Sequence, residues 1–523
     1  MAKESSGRHA FLVFAGILLS RIMGLVRQRI FNSYFGLHTE ADAFTSALRV
    51  PNFLQNLFGE GVLSASFIPV YARLLANGEE EEADRVAGAV GAILSLTSTV
   101  IVAIGVLTTP YLMWVIAPGF SSSKRELAIL LVRILFPGAG LLVASAWCLG
   151  ILNSHRKFFL SYAAPVVWNL SMIATILVFR HQVPHDLAIT LAWGTLFGCV
   201  LQFAVQLPFV LRYTGRLQFR PELHSGNVRE VLRNFMPVAA SRGVVQISAY
   251  LDMSIASFIP FEGAMTAMGN AQQIYTLPVS LFGMAVSAAE LPAMSATTGS
   301  QTEVAGRLRV RLNAGLRRIA FFIVPSAMAF FALGDVITAM LYQTGKFRHN
   351  DAVYVWGIVA GSAVGLLAST LGRLYASTYY ALRDTRTPLK FAALRVAITV
   401  AAGYLCALPL PRALGIDPKW GAAGLTASAG FAGWVEFALL RRSMNARIGR
   451  TGVPAILVAK LWTAAAVGAA VGWAIKMRIG AAHPVFAGLA ILIPYGLTYF
   501  GMTWLLGVEE LATLTTRIAR LRR

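Results

Sequence analysis

Apolar stretches of about 20 residues recur along the whole chain, and this pattern limits the fold more than any other feature of the sequence. We count fourteen, centred near residues 20, 58, 99, 140, 170, 200, 246, 281, 328, 366, 398, 430, 466 and 496. A helix of about 20 residues crosses the ~30 Å hydrocarbon core of a bilayer. With 56% hydrophobic and only 13% charged residues, the chain is too apolar for a soluble globular protein. The sequence therefore predicts an all-α polytopic membrane protein of about fourteen transmembrane helices.

The basic residues are distributed unevenly between the two sides of this predicted arrangement. Of the 45 lysines and arginines, 27 fall in the termini and in the loops that follow even-numbered helices, whereas 10 fall in the other loops. Short loops rich in basic residues face the cytoplasm, so both termini are predicted to be cytoplasmic. The net charge of +21 then reflects topology. We expect no nucleic-acid partner, because no basic and aromatic binding module accompanies the charge.

Short sequence matches indicate an internal repeat. Residues 57–69 resemble residues 281–292, and Ser20-Arg21 matches Ser241-Arg242 at an offset of 221 residues. A third match joins the loop after the fourth helix to the loop after the tenth. Such offsets span six helices, an even number, so the two copies share one orientation, as in transporters built from parallel repeats.

The repeat predicts two six-helix lobes around a central cavity. The N-lobe comprises residues 1–215 (helices 1–6) and the C-lobe residues 216–450 (helices 7–12). Residues 451–523 then hold two extra helices and a basic cytoplasmic tail. Two lobes of this kind are typical of proteins that work by alternating access.

Charged residues lie inside the first two predicted helices, where a charge at the bilayer centre costs at least ~2.5–3.5 kcal/mol. Arg21, Arg27 and Arg49 are candidate substrate-binding residues, because the planar arginine fork makes bidentate bonds to phosphate and carboxylate groups. Arg21 and Arg27 are about 9 Å apart along the helix axis and could line two levels of one cavity wall. The alternatives are that Arg27 extends to the membrane interface and that Arg49 pairs with Asp42. The pattern indicates a transporter for an anionic molecule.

Three acidic residues are candidates for gating or coupling. Asp42 and Glu60 are assigned to charge pairing with the arginines, since carboxylates repel phosphate. Glu60 lies between two glycines, which suits a bend in the second helix, and a static buried ion pair is its alternative role. Asp252 is the candidate site for a coupling cation. It is ten residues from Arg242 on the same helix, about 15 Å, so these two side chains cannot pair.

Motifs for catalysis or metal binding are absent from the sequence. It has neither a GxxxxGK[ST] phosphate loop nor an HExxH zinc motif, and its eight histidines fall in loops or at the edges of spans. We therefore expect no enzyme activity, no metal and no cofactor. The energy sources left open are a monovalent cation gradient and the membrane potential.

Several sequence blocks resemble one known family. They are SRIMGLVR, ADAFTSALRVPNFLQNLFGEGVLSASFIPVY, IAPGF, GILNSHRKF, APVVWNLSMI, LYQTGKF and YALRDTRTPLK. These blocks are similar to those of the MurJ/MviN lipid II flippases, occur in the family's order and cover most of residues 10–400. The second-helix block is the most specific, whereas the last two helices resemble the family only in position and hydrophobicity.

The resemblance implies a fold of the multidrug/oligosaccharidyl-lipid/polysaccharide exporter type. It implies the substrate lipid II, an undecaprenyl pyrophosphate carrying a disaccharide-pentapeptide, moved from the cytoplasmic to the periplasmic leaflet of the bacterial inner membrane. That step serves peptidoglycan biosynthesis, cell wall biogenesis and cell shape, with the cell-wall synthesis machinery as a candidate partner. The family's paired first-helix arginines correspond to Arg21 and Arg27, and its two acidic residues to Asp42 and Glu60.

Four positions depart from the family's usual pattern. Gln55 and Gln273 stand where members often carry a basic residue, Thr276 stands where they carry an acidic one, and Glu290 is an additional acid. Other functions therefore stay open: a flippase for another polyprenyl-linked glycan, or a cation-coupled exporter of the same superfamily. A polyprenyl-phosphate glycosyltransferase would need an acidic pair at a membrane face, and a non-transporting scaffold would not need charges inside its spans.

Overall fold

The computed structural model describes residues 2–215, 217–295, 300–480 and 482–511. Within these residues the regular structure is helical, and the only β-type pairing described there is an isolated bridge. Helices suit a chain in lipid, because each backbone N–H and C=O finds its partner within the same segment. The chain divides into two compact units, Met1–Phe258 with Thr344–Phe347, and Ile259–Gln343 with Arg348–Arg523.

Nine helices are described in the first unit. They are α1 (Ala2–Phe35), α2 (Thr39–Phe58), α3 (Glu60–Ala76), α4 (Glu80–Leu107), α5 (Thr109–Ile116), α6 (Ser122–Ser154), α7 (Phe158–Val178), α8 (Pro184–Tyr213) and α9 (Gly226–Ala256).

One buried core of the first unit joins α3, α4 and α6, with residues of α8 and α9 at its edge. Phe67 and Tyr71 of α3 stack with their ring centroids 5.2 Å apart. Trp147 of α6 donates its indole N–H to the carbonyl oxygen of Ala87 in α4 at 3.0 Å. Lipid tails are as apolar as these side chains, so close packing and hydrogen bonds between helices hold such a core together.

Small residues let α7 and α8 approach each other closely. A Cβ at Gly194 of α8 would overlap the side chain of Thr175 in α7. The Ser171 hydroxyl of α7 donates to the carbonyl oxygen of Gly194 at 2.7 Å. Glycine and hydroxyl residues at such a contact are typical of helix pairs in membranes.

The second unit contains the remaining described helices and two short irregular turns. They are α10 (Ala264–Pro278), a π-helical turn (Val279–Met284), α11 (Ala285–Ser295), α12 (Gln301–Ala332), α13 (Gly334–Tyr342), α14 (His349–Ala363), α15 (Leu366–Ala381), α16 (Arg386–Ala407), α17 (Pro409–Ala413), a 3₁₀ turn (Pro418–Trp420), α18 (Gly421–Ile448), α19 (Ala455–Ile479) and α20 (Pro484–Leu505).

The last two helices pack on the middle of the second unit. Leu333 and Ile491 belong to one buried cluster that joins α20 to the end of α12. Two tyrosine hydroxyls of α20 donate to carbonyl oxygens of α12: Tyr495 to Pro325 at 2.5 Å and Tyr499 to Phe321 at 2.6 Å. Buried phenol groups need such partners, so these bonds fix the orientation of α20.

The described helices include many that can cross a membrane. Nine are long and apolar enough by themselves, and α14 with α15, bent by 44°, qualifies as a pair. Each of the fourteen predicted centres falls in helical backbone. The total of fourteen crossings stays a prediction. The lobe boundaries at residues 215 and 450 also stay predictions; the two compact units are divided near Phe258.

Candidate functional site

The second predicted span is interrupted at Gly59, between α2 and α3. Gly59 has an extended backbone, with φ −90° and ψ −153°. A Cβ at this position would overlap the carbonyl oxygen of Gln55, so the chain can turn here only at a glycine. Pro51 within α2 also removes one backbone donor. The backbone bends beside Glu60, as the flanking glycines predict, but the Glu60 side chain lies outside the described residues.

Helix α9 packs antiparallel along the broken pair α2 and α3. The Tyr250 hydroxyl donates to the carbonyl oxygen of Arg49 at 2.7 Å, and its ring meets Phe53 edge-on at 5.4 Å. Further along, Phe58 and Phe235 pack with ring centroids 5.8 Å apart. These contacts fix the backbone from which the Arg49 side chain projects.

This packing also brings Arg49 near Asp252. Both side chains are half-buried, and their opposite charges attract each other. Asp252 lies two residues after Tyr250, whose hydroxyl bonds to Arg49. In the described part of the chain, no three His, Cys, Asp or Glu side chains are arranged to share a metal ion.

Asp42 forms a buried ion pair with Lys124 of α6. The Lys124 ammonium lies 2.7 Å from Oδ2 of Asp42, and the two side chains are 11% and 1% exposed, respectively. The ammonium also lies 4.5 Å from the ring centroid of Phe120. The sequence did not indicate this partner, because Lys124 is one of many basic residues assigned to loops and 82 residues separate the pair. Arg49, which the sequence offered as an alternative partner of Asp42, is not the residue found in this ion pair.

Arg27 packs against α7 and does not extend freely from α1. Its guanidinium carbon lies 5.1 Å from the ring centroid of Trp168, and its Nη1 lies 3.8 Å from the sulfur of Met172. Its Nη2 donates to Oε1 of Gln28 at 3.4 Å. Arg21 is exposed on α1. The six-residue spacing turns the two arginines roughly 120° apart, which explains their different surroundings.

Arg242 of α9 approaches the same break and was not selected from the sequence as a binding residue. Its guanidinium lies against the backbone of Gly61, where a Cβ would come 2.7 Å from Nη1 and closer still to Nη2. The side chain is exposed. The signal available in the sequence was its match to Arg21 in the internal repeat.

In the second unit, the positions that depart from the family pattern have local partners. Glu290 lies 3.5 Å from Arg311 and 3.8 Å from Arg318, so this acid is paired with arginines of α12. Gln273 accepts a hydrogen bond from the Tyr342 hydroxyl at 3.4 Å. Neither position therefore offers an unpaired charge to a substrate.

An acidic cavity of about 510 Å³ lies where the ends of α3, α6 and α8 meet the start of α4. Its lining includes Glu80, Glu81, Asp84 and His155. Burial lowers the pKa of His155 below its usual value of 6.5, so the imidazole is neutral at pH 7. A cavity with this lining repels anions, and the arginine-bearing helices remain the better candidate for binding an anionic substrate.

Taken together, the fold and these charges define a class of protein. A multi-pass helical membrane protein that places arginines and a buried ion pair within its spans is of the transporter type, because charges there are costly and mark substrate or ion pathways. The chain belongs to the MurJ family of lipid II flippases. The family model described as "Lipid II flippase MurJ" matches residues 31–493.

Curated relatives and solved structures agree with this assignment. A probable lipid II flippase MurJ of Rhizobium tropici is 31% identical, with 82% of this chain and 78% of the relative covered. The lipid II flippase MurJ of Burkholderia cenocepacia is 29% identical, with 96% and 97% covered.

Two solved structures share the fold. A lipid II flippase MurJ in an inward closed conformation aligns with a TM-score of 0.78 at 23% identity, covering 95% of this chain and 98% of that one. A multidrug resistance MATE transporter of the MOP superfamily, in an inward-facing conformation, gives a TM-score of 0.65 at 18% identity, covering 84% and 98%. The predicted all-α polytopic fold of the exporter type and the predicted family are therefore confirmed.

Proposed function

We propose that this protein is a lipid II flippase, which moves the undecaprenyl-pyrophosphate-linked peptidoglycan precursor from the cytoplasmic to the periplasmic leaflet by alternating access. One observation carries the proposal: the family match extends from residue 31 to residue 493 and so includes helices of both compact units. The charges of α1 and α2 supply the chemistry that such a substrate requires.

The binding step rests on Arg21, Arg27 and Arg49. Moving a pyrophosphate through hydrocarbon unaided carries a desolvation penalty of many kcal/mol. Arginine offsets that penalty with bidentate, charge-assisted hydrogen bonds. Arg21 is exposed, and the Arg27 guanidinium lies over the Trp168 ring, 5.1 Å from its centroid. Headgroup binding would relieve repulsion between the arginines, and a ligand shifts a conformational equilibrium through such differential affinity.

The acidic residues act on basic side chains, not on the substrate. Asp42 is paired with Lys124, and in the proposed cycle this pair holds the start of α2 against α6. Glu60, at the bend, competes with the substrate for an arginine as the headgroup leaves. Asp252 attracts Arg49, so a monovalent cation that takes its place beside Asp252 would release Arg49. That exchange is the proposed route by which a cation gradient, or the membrane potential, drives the cycle.

The proposal includes location and partners. The protein lies in the bacterial inner membrane with both termini in the cytoplasm, because the basic loops then face the cytoplasm. It transports its substrate without making or breaking a covalent bond, so it is not an enzyme and needs no cofactor. Lipid II is its substrate, and the cell-wall synthesis machinery, which consumes lipid II, is the candidate partner.

Complementation tests the proposal. A bacterial strain depleted of its own lipid II flippase is supplied with this chain, with an empty vector as control. We expect growth and normal cell shape with the chain and lysis with the vector. Insertion of the chain without rescue would contradict the proposal. Rescue only of a strain lacking a flippase for another polyprenyl-linked glycan would favour that alternative substrate.

A further inference from the structure

Arg242 is a charged residue in the middle of α9, the helix that the sequence predicts as the seventh membrane span. It lies sixteen residues after the start of α9 at Gly226, about 24 Å along the helix, and its side chain is exposed. None of the ion pairs in the described residues includes Arg242. The nearest charged neighbours on its own helix are Arg233 and Asp252, nine and ten residues away. An ionisable side chain at this depth marks a substrate or ion pathway by default.

The backbone opposite Arg242 is shaped to admit its guanidinium. Gly61 is the second residue of α3, directly after the break at Gly59. A Cβ at Gly61 would overlap the guanidinium, so only glycine lets Arg242 lie against the broken span. The neighbouring Gly243 approaches Leu57 of α2, with an ideal Cβ 3.6 Å from Leu57 Cδ1. Gly61 therefore leaves room for the guanidinium directly after the break, and Gly243 lets α9 approach α2 beside it.

Arg242 and Arg49 lie at two levels of the contact between α9 and the pair α2 and α3. Tyr250, which bonds to the Arg49 carbonyl, lies eight residues after Arg242, about 12 Å further along α9. At the other end of the same contact, Arg73 of α3 pairs with Glu230 of α9 at 2.7 Å. With the termini in the cytoplasm, the order from the cytoplasmic side is the Arg73–Glu230 pair, Arg242 and then Arg49.

From this juxtaposition we infer that Arg242, held against Gly61 at the break between α2 and α3, binds the pyrophosphate of the substrate on the cytoplasmic side of Arg49. The inference rests on the proposed function, since it assigns a further binding residue to the same transport reaction. Arg242 receives the pyrophosphate first, and Arg49 lies about 12 Å deeper for the next step. A guanidinium suits this role because it offers a bidentate fork at a fixed position.

Binding to the purified full-length protein tests the inference. We expect Arg242→Gln to weaken lipid II binding about tenfold or more, the loss typical of one charge-assisted hydrogen bond. Arg242→Lys keeps the charge but not the bidentate fork, so its affinity for lipid II should lie between those of Arg242→Gln and the unmodified protein. Gly61→Ala should also weaken binding, because its Cβ displaces the guanidinium, and it should add little to Arg242→Gln in the double variant.

Matched controls and a second ligand make the result decisive. Arg233→Gln, an exposed arginine earlier on α9, and Gly496→Ala, where a Cβ meets nothing within 4 Å, should bind lipid II normally. Undecaprenyl pyrophosphate lacks the sugar and the peptide. Arg242→Gln should weaken its binding by the same factor as the binding of lipid II. If Arg242→Gln weakens the binding of lipid II but not of undecaprenyl pyrophosphate, the assignment to the pyrophosphate is overturned. If neither Arg242→Gln nor Gly61→Ala changes lipid II binding, the inference itself is overturned. Failure of the unmodified protein to bind lipid II would instead contradict the proposed function.

Discussion

The ion pair between Asp42 and Lys124 predicts a large and measurable coupling energy. The two charges lie 2.7 Å apart and are nearly excluded from solvent. At an effective dielectric constant of about 20, their attraction is about 6 kcal/mol, which the cost of desolvating both groups largely offsets. Removing one partner takes this ion pair away from a charge that stays buried, which typically costs about 3–5 kcal/mol.

Three variants measure this coupling in the purified protein. Lys124→Met leaves the Asp42 carboxylate buried, Asp42→Asn leaves the ammonium, and the double variant leaves neither charge. We expect Lys124→Met to lower the free energy of unfolding by about 3–5 kcal/mol. The double variant should cost at least about 2 kcal/mol less than the sum of the two single changes, within the range observed for residues in direct contact.

The assay is denaturant unfolding in detergent micelles, with Arg85→Met as a control. Arg85 forms an ion pair with Glu82 at 3.2 Å, but its side chain is 51% exposed, so its loss should cost less than about 1 kcal/mol. The reasoning is refuted if Lys124→Met costs no more than Arg85→Met. The reasoning is also refuted if the loss of unfolding free energy in the double variant equals the sum of the losses in the two single variants.

Three further predictions concern binding, topology and pH. Arg27→Ala should abolish complementation at normal protein levels, whereas Arg27→Lys, which keeps the charge, should retain part of it; normal growth with Arg27→Ala would exclude a binding role. In intact cells, a cysteine at Ser225 should be shielded from a membrane-impermeant thiol reagent and one at Ser122 should react; the reverse pattern would invert the topology. Hydrogen bonds from Thr387 and the pairing with Arg447 lower the pKa of Asp384 to about 2. Its carboxylate therefore stabilises the folded state above pH ~4 and loses this effect as the pH falls towards 2. Asp384→Asn should lower thermal stability at pH 7, by about 1 kcal/mol as for a lost helix cap, and the difference should shrink near pH 2; an equal difference at both pH values would contradict this.

The fold was accessible from sequence because membrane helices are long, apolar and regularly spaced. The bend near Glu60 was also accessible, because Gly59 and Gly61 flank it and a glycine is the residue that such a close backbone approach requires. Hydropathy and local composition carry both signals. Neither depends on which helices meet in three dimensions.

The partners of the charged residues could not be predicted in the same way. Asp42 pairs with Lys124 across 82 residues, and the Arg49 carbonyl accepts a hydrogen bond from Tyr250 across 201 residues. Such pairings depend on how α2 packs against α6 and α9, for which hydropathy carries no signal. The helical period did carry one indication: a six-residue spacing turns Arg21 and Arg27 roughly 120° apart around α1.

The central claim is that this chain brings lipid II to the outer leaflet, and access to that lipid from outside measures the claim directly. Spheroplasts of a flippase-depleted strain are treated with a membrane-impermeant enzyme that cleaves lipid II, and the cleaved fraction is determined. The account predicts that the chain restores cleavage well above the empty vector and that Arg27→Ala, inserted to the same level, does not. An equal cleaved fraction with the chain and with the empty vector would contradict it.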